Sequence, residues 1–82
     1  MAINQTQKEE AIDYLLRQIS FEALGQVNAH RDDPTWFRDQ HFGLGLWVRN
    51  SLRRGDFKWD DFTLDAEWSA LIVAVAERLA AG

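Results

Sequence analysis

The stretch His41-Phe42-Gly43-Leu44-Gly45-Leu46-Trp47-Val48-Arg49-Asn50 decides how the chain is read. Apolar residues at Phe42, Leu44, Leu46, Trp47 and Val48 cover nearly every direction around a helix. A helix that is apolar on all sides is usually buried on all sides. The alternation of Phe42, Leu44 and Leu46 also has the period of a strand. Trp47 and Val48 break that alternation, and Leu52 continues a Gly45, Val48, Leu52 row at helical spacing, so the expected element is a helix. Glycine within a helix costs about 1 kcal/mol relative to alanine. Gly43 and Gly45 therefore point to close approach of another backbone, with a glycine-lined ligand pocket as the alternative. The Gly-x-Gly spacing lacks the third glycine, the lysine and the Ser/Thr of a phosphate-binding loop, which argues against a nucleotide site.

Upstream of this stretch, Asp33-Pro34 is a strong helix start, with Asp as N-cap and Pro as first helical residue. The pattern predicts a third helix over 34–54, kinked near Gly43. Arg53 and Arg54 fall in its last turn and Gly55 follows as C-cap. At the start of the chain Thr6-Gln7-Lys8-Glu9 reads as a capping box. Ala11, Ile12, Leu15, Leu16 and Ile19 then keep helical spacing, which predicts a first helix over 7–19. Ser20 is a second N-cap, and Phe21, Leu24 and Val27 predict a short helix over 21–29 that Gly25 weakens. Downstream, 56–62 reads as an irregular loop pinned to the core by Phe57, Trp59 and Phe62, with Asp56, Asp60 and Asp61 in water. Thr63 or Asp65 caps a last helix to about residue 80. Leu64, Trp68, Leu71, Val75 and Leu79 form its apolar face, and Ile72, Val73 and Ala76 widen it. The expected fold is all-α: a compact single-domain bundle of about four helices around a buried central third helix. The domain is read as 1–82, with flexible ends at 1–5 and 81–82.

Composition narrows the function classes. The 82 residues suffice for one domain. A domain of that size buries roughly 60–65% of its unfolded surface, so it needs a rich core. It has one: 46% of residues are hydrophobic, with four Trp and five Phe. The absence of cysteine excludes a disulfide scaffold and thiolate metal sites, and fits a reducing cytoplasm. Neither a basic n-region nor an apolar h-region opens the chain, so no signal peptide is expected. The longest apolar run, 70–76, is far short of the roughly 20 residues that span a bilayer. A net charge of −4 argues against general nucleic-acid binding and permits a basic protein partner.

Residues 41–50 also resemble a signature found in small bacterial proteins of unknown function, close to His-Phe-Gly-Leu-Gly-x-Trp-[Ile/Val]-Arg-Asn. Here it is carried by His41, Phe42, Gly43, Leu44, Gly45, Trp47, Val48, Arg49 and Asn50. In that family an amphipathic helix like residues 9–16 precedes the signature. A helix opening near an acidic residue and a serine follows it, as Asp65 and Ser69 do here. The chain departs at Ser51, where a second asparagine is expected, and over 53–61, where a longer segment with a His-Pro-Asp-like step is expected. The resemblance implies a small helical fold and carries no activity.

The sharpest polar pair is Arg49 and Asn50. On a continuous third helix Arg38, Arg49 and Arg53 share one side, and such a stripe can bind a carboxylate or phosphate bidentately. The competing reading is that these arginines pair with Asp56, Asp60, Asp61 or Asp65 inside the domain. His30 and His41 have no His-x-x-x-His spacing, so no metal or cofactor is expected. His41 with Ser51 or Asp39 makes no nucleophile–base set, and no enzyme is expected. The tripeptide Arg54-Gly55-Asp56 coincides with a helix end and is read as chance. Nine aromatics besides Tyr14 are many for one core. Trp36, Phe37, Phe57 and Trp59, at element ends, are the ones expected to be accessible. The expectation is therefore a non-enzymatic, cytoplasmic protein-binding module of a bacterium or phage. It would be an inhibitor or immunity-type protein that occludes its partner through Trp36, Arg38, Arg49, Arg53, Phe57 and Trp59. The alternatives are a ligand-binding or catalytic site at His41, Arg49 and Asn50, and a homo-oligomer joined through the last helix.

Overall fold

The computed structural model describes residues 3–81 and forms five helices: α1 (Gln5–Gln18), α2 (Phe21–Ala29), α3 (Pro34–Asp39), α4 (Leu44–Arg54) and α5 (Asp61–Ala81). The bundle is all-α, but its centre is not the third helix. α5 packs on α1, α2 and α4, and α1 packs on α4. Leu64, Trp68, Leu71, Ile72, Val75 and Ala76 of α5 are buried and meet Ala11, Ile12 and Leu15 of α1, Leu24 and Val27 of α2, and Val48 and Leu52 of α4. Leu79 lies beyond this core and is half exposed.

The first helix starts earlier than the Thr6 pattern predicts. Asn4 is the N-cap: its side chain accepts the Gln7 N–H at 2.8 Å, and the Gln7 side-chain carbonyl accepts the Asn4 N–H at 3.2 Å. The box is thus shifted two residues towards the N-terminus, which leaves Glu9 free for a distant partner. Ile3 is buried just ahead of this cap. Of the ends expected to be flexible, Met1, Ala2 and Gly82 lie outside the described residues. The second helix follows its prediction, with the Ser20 hydroxyl accepting the Ala23 N–H at 3.1 Å. Gly25 on this helix has open space where a Cβ would stand.

The predicted third helix is two helices. Asp33 caps α3 by accepting the Thr35 and Trp36 N–H groups at 3.1 and 3.2 Å, but the helix stops at Asp39. Residues 40–43 form a turn, and α4 begins again after Gly43. Gly43 has no side chain to cap the new helix. The Gln40 carbonyl takes over, accepting the N–H groups of Gly43 at 3.1 Å and Gly45 at 2.8 Å. Because the chain breaks here, α4 lies across α5 with Gly45 against the Trp68 indole. A Cβ on Gly45 would stand 2.9 Å from that ring. The close neighbour is an aromatic side chain and not the second backbone expected.

The end of α4 corrects a second glycine. Gly55 is the C-cap, but its φ is −81°. The left-handed residue is Asp56, with φ 67°. Phe57 N–H donates to the Leu52 carbonyl at 3.0 Å and Asp56 N–H to the Arg53 carbonyl at 3.2 Å, the bond pair of a Schellman motif. Gly55 is glycine because the Tyr14 ring would lie 2.8 Å from its Cβ. α5 is capped by Asp60, ahead of both predicted caps. Its carboxylate accepts the Thr63 N–H at 2.7 Å, and hydrogen bonds from Thr63 hold that carboxyl below its usual pKa. At the other end of α5, Arg78 donates to both Glu9 and Asp13 of α1. The Arg78 bond, helped by Gln5, lowers the Glu9 pKa.

Candidate functional site

The break at residues 40–43 scatters the predicted arginine stripe. Arg38 stays on α3, while Arg49 and Arg53 lie on α4 facing the first turns of α5. Arg49 is the hub of a network. Its Nη1 donates to Asp65 Oδ1 at 2.9 Å and to His41 Nε2 at 3.2 Å, and its Nη2 donates to the His41 carbonyl at 3.2 Å. The His41 Nε2 thus sits between the Arg49 guanidinium and the Asp65 carboxylate. Asp65 Oδ1 lies 3.3 Å from the same nitrogen. The Arg49 side chain is only 11% exposed, against 55% for Asp65. Its position ties the interhelical turn to α5.

One turn further on, Asn50 Oδ1 accepts from Arg53 Nη1 at 3.0 Å, and Arg53 Nη2 pairs with Asp61. The reading in which these arginines pair with aspartates inside the domain therefore describes Arg49 and Arg53, with Asp65 and Asp61 as partners. Ser51, where the resembling signature has asparagine, is fully buried and accepts from Arg54 at 3.1 Å. His41 and Arg49 are thus joined directly, while Asn50 is engaged by Arg53. Among the described residues no three His, Asp or Glu side chains gather as a metal site.

The aromatics expected at the surface are half-buried. Trp36 stacks on the His30 ring with centroids 4.6 Å apart and meets Phe37 edge-on at 5.0 Å. Phe37 continues to Trp68 at 6.0 Å. Phe57 packs between Tyr14 at 5.7 Å and Trp59 at 5.4 Å. Trp47 is half-buried and borders a smaller cleft with Ile19 and Ala23.

The exposed large apolar side chains are different ones. Phe21 of α2 is 88% exposed, Phe42 82% and Phe62 79%, and Leu46 is also open to solvent. Phe62, expected to pin its loop, instead shares a cleft with Leu46, Arg49, Arg53, Asp61 and Asp65. Phe42 sets its ring edge-on against His41 at 4.9 Å. Two of the solvent-facing apolar groups, Leu46 and Phe62, thus flank the Arg49 and Arg53 ion pairs on one α4–α5 face, with Phe42 set against His41 in the turn ahead of α4. A sequence signal for this face existed. Phe42, Leu46, Arg49 and Arg53 form one row at helical spacing, offset from the buried Gly45, Val48, Leu52 row.

Comparison with known proteins adds no relative. No family model, curated protein or solved structure matches the chain. None of the described helices is long and apolar enough to cross a membrane.

Proposed function

We propose that the chain is a non-enzymatic protein-binding module that works by covering a surface of its partner, as an inhibitor or immunity-type protein does against a bacterial toxin or defence protein. The supporting observation is the α4–α5 face, where Leu46 and Phe62 stand in water around fixed ion pairs, with exposed Phe42 in the turn ahead of α4. Burying one such side chain contributes roughly 1.5–3 kcal/mol. Aromatic anchors beside ordered arginines are the usual composition of a binding hot spot. The Arg49 and Arg53 pairs are formed before any partner arrives, so little side-chain freedom is lost on docking. Asp61 and Asp65 add exposed carboxylates to the face, which suits a partner with basic groups at the matching positions.

The test is affinity capture from lysate of the source organism with wild type, Leu46→Ser and Phe62→Ser, each checked for helicity by circular dichroism. A partner held stoichiometrically by wild type should be retained at least about tenfold less by both variants. Equal retention by folded variants, or no partner at high bait loading, would sink the reading. Sedimentation of the same three proteins reports on self-association. A dimer that the substitutions dissociate would transfer the face to a second copy of the chain.

A further inference from the structure

Beside the turn at residues 40–43, on the α3 side of α5, lies an open groove of about 590 Å³. Its size falls in the roughly 300–1,000 Å³ range of small-ligand sites. One wall is aromatic, with Phe37 leaning on Trp68; the α5 side is formed by Ala70 and Val73. The rim carries Arg31, Arg38 and His41, with Asp32 among them.

The cations of this rim have no ion pair among the described residues, as is also true of Lys8, Arg17, Arg54 and Lys58. Arg49, Arg53 and Arg78 are each engaged by carboxylates. Arg31 and Arg38 have no ion pair among the described residues. The His41 Nε2 is taken up by Arg49 at 3.2 Å and Asp65 at 3.3 Å. A chain of net charge −4 thus places two free guanidiniums beside an apolar cleft. The formal charges of Arg31, Arg38 and Asp32 leave the rim one net positive charge. That matches a monoanion and disfavours a dianion.

We infer that this groove binds a small monoanionic carboxylate with a flat aromatic or alicyclic body. The ring system lies along Phe37 and Val73, over the floor that buried Trp68 supports, and the carboxylate is held at the rim by Arg38 and Arg31. A carboxylate suits the planar guanidinium fork, which donates two parallel N–H groups to it. The groove meets the protein-binding face at His41, but Arg31, Arg38 and Ala70 lie outside the cleft of that face.

The test is isothermal titration of the intact chain with 2-naphthoate, 2-naphthamide as its neutral isostere, and 2-naphthyl phosphate. Naphthoate should bind about tenfold or more tightly than the amide, as expected for a charge-assisted contact, and no less tightly than the phosphate. Arg38→Gln should weaken naphthoate about tenfold, with Arg31→Gln as the second variant. Ala70→Phe fills the groove from an exposed position on α5 without changing charge, and should abolish binding. No binding to wild type, equal affinity for acid and amide, a preference for the phosphate, or full affinity in folded Ala70→Phe would each overturn the assignment. The ligand series on wild type needs no variant to fold.

Discussion

α4 and α5 look alike in composition and behave differently. Both are rich in large apolar residues, and the stretch opening α4 is the more uniformly apolar. Yet α5 is enclosed by three helices, while α4 buries one row and turns Leu46, with Phe42 just ahead of it, to water. Burial is set by how many neighbours a helix has, and α5 is long enough to be met on several sides. α4 is 11 residues long and follows a break, so it can offer only one face to the core. Its remaining apolar side chains are then available for something outside the domain.

The largest effect that sharpens this contrast comes from truncating one side chain on each helix. Ile72→Ala in the enclosed part of α5 should cost about 2–5 kcal/mol, as large-to-small core changes do. Leu46→Ala on α4 should stay within about 0.5 kcal/mol, the range of surface changes. Urea unfolding of the two variants gives both values; similar losses would mean that Leu46 is covered in the free chain.

A smaller effect compares two helical glycines. Gly45→Ala gains about 1 kcal/mol of helix propensity but drives a Cβ into the Trp68 ring, and overpacking of that kind costs about 1–3 kcal/mol. The net change should be destabilising. The same substitution at Gly25, where the added methyl meets nothing, should stabilise by about 0.5–1 kcal/mol. Thermal melts of the pair check the sign. Matching signs would show that Trp68 can move aside.

The smallest effect concerns the two ends of α5. Both Asp60 and Glu9 have pKa values lowered below the ordinary 3.8 and 4.5. A carboxylate with a depressed folded-state pKa stabilises fully above its unfolded value, and that contribution disappears as pH falls through the folded one. The melting temperature should therefore drop as pH falls below about 4.5. Arg78→Gln should be slightly less stable than wild type at neutral pH, and the gap should close in acid. A gap independent of pH would mean that Arg78 acts through packing of its stem.

Much of the fold is legible in local residues. Ser20 and Asp33 cap helices where their side chains predict, and the row Leu64, Trp68, Leu71, Val75 marks the buried face of α5 up to its last turns. What local patterns could not supply is long-range geometry. Asn4 and Thr6 are both competent caps, and Ile3, buried just ahead of the first helix, accompanies the earlier start. Gly55 looks like the left-handed residue until Tyr14, far away in sequence, is seen to need its missing Cβ. The continuous third helix fails for the same kind of reason. Its break is stabilised by Arg49 reaching back to the His41 carbonyl and across to Asp65. For the site, the polarity of Arg49 and Arg53 was legible and their pairing partners were among those weighed. Exposure was not, because Phe57 and Phe62 carry the same ring on nearby residues and only one finds a place beside Tyr14.

The position of α5 also has a consequence for how the protein is made. Residues before Asp61 carry four helices' worth of apolar side chains, but most of the surfaces they bury against belong to α5. During synthesis those helices emerge first with no finished core, and their contacts with the last helix close loops of up to most of the chain length. Such long closures slow folding beyond what a helical protein of this size would otherwise show. The nascent domain should therefore stay open to chaperones and proteases until α5 has emerged, and it should then fold in one late step.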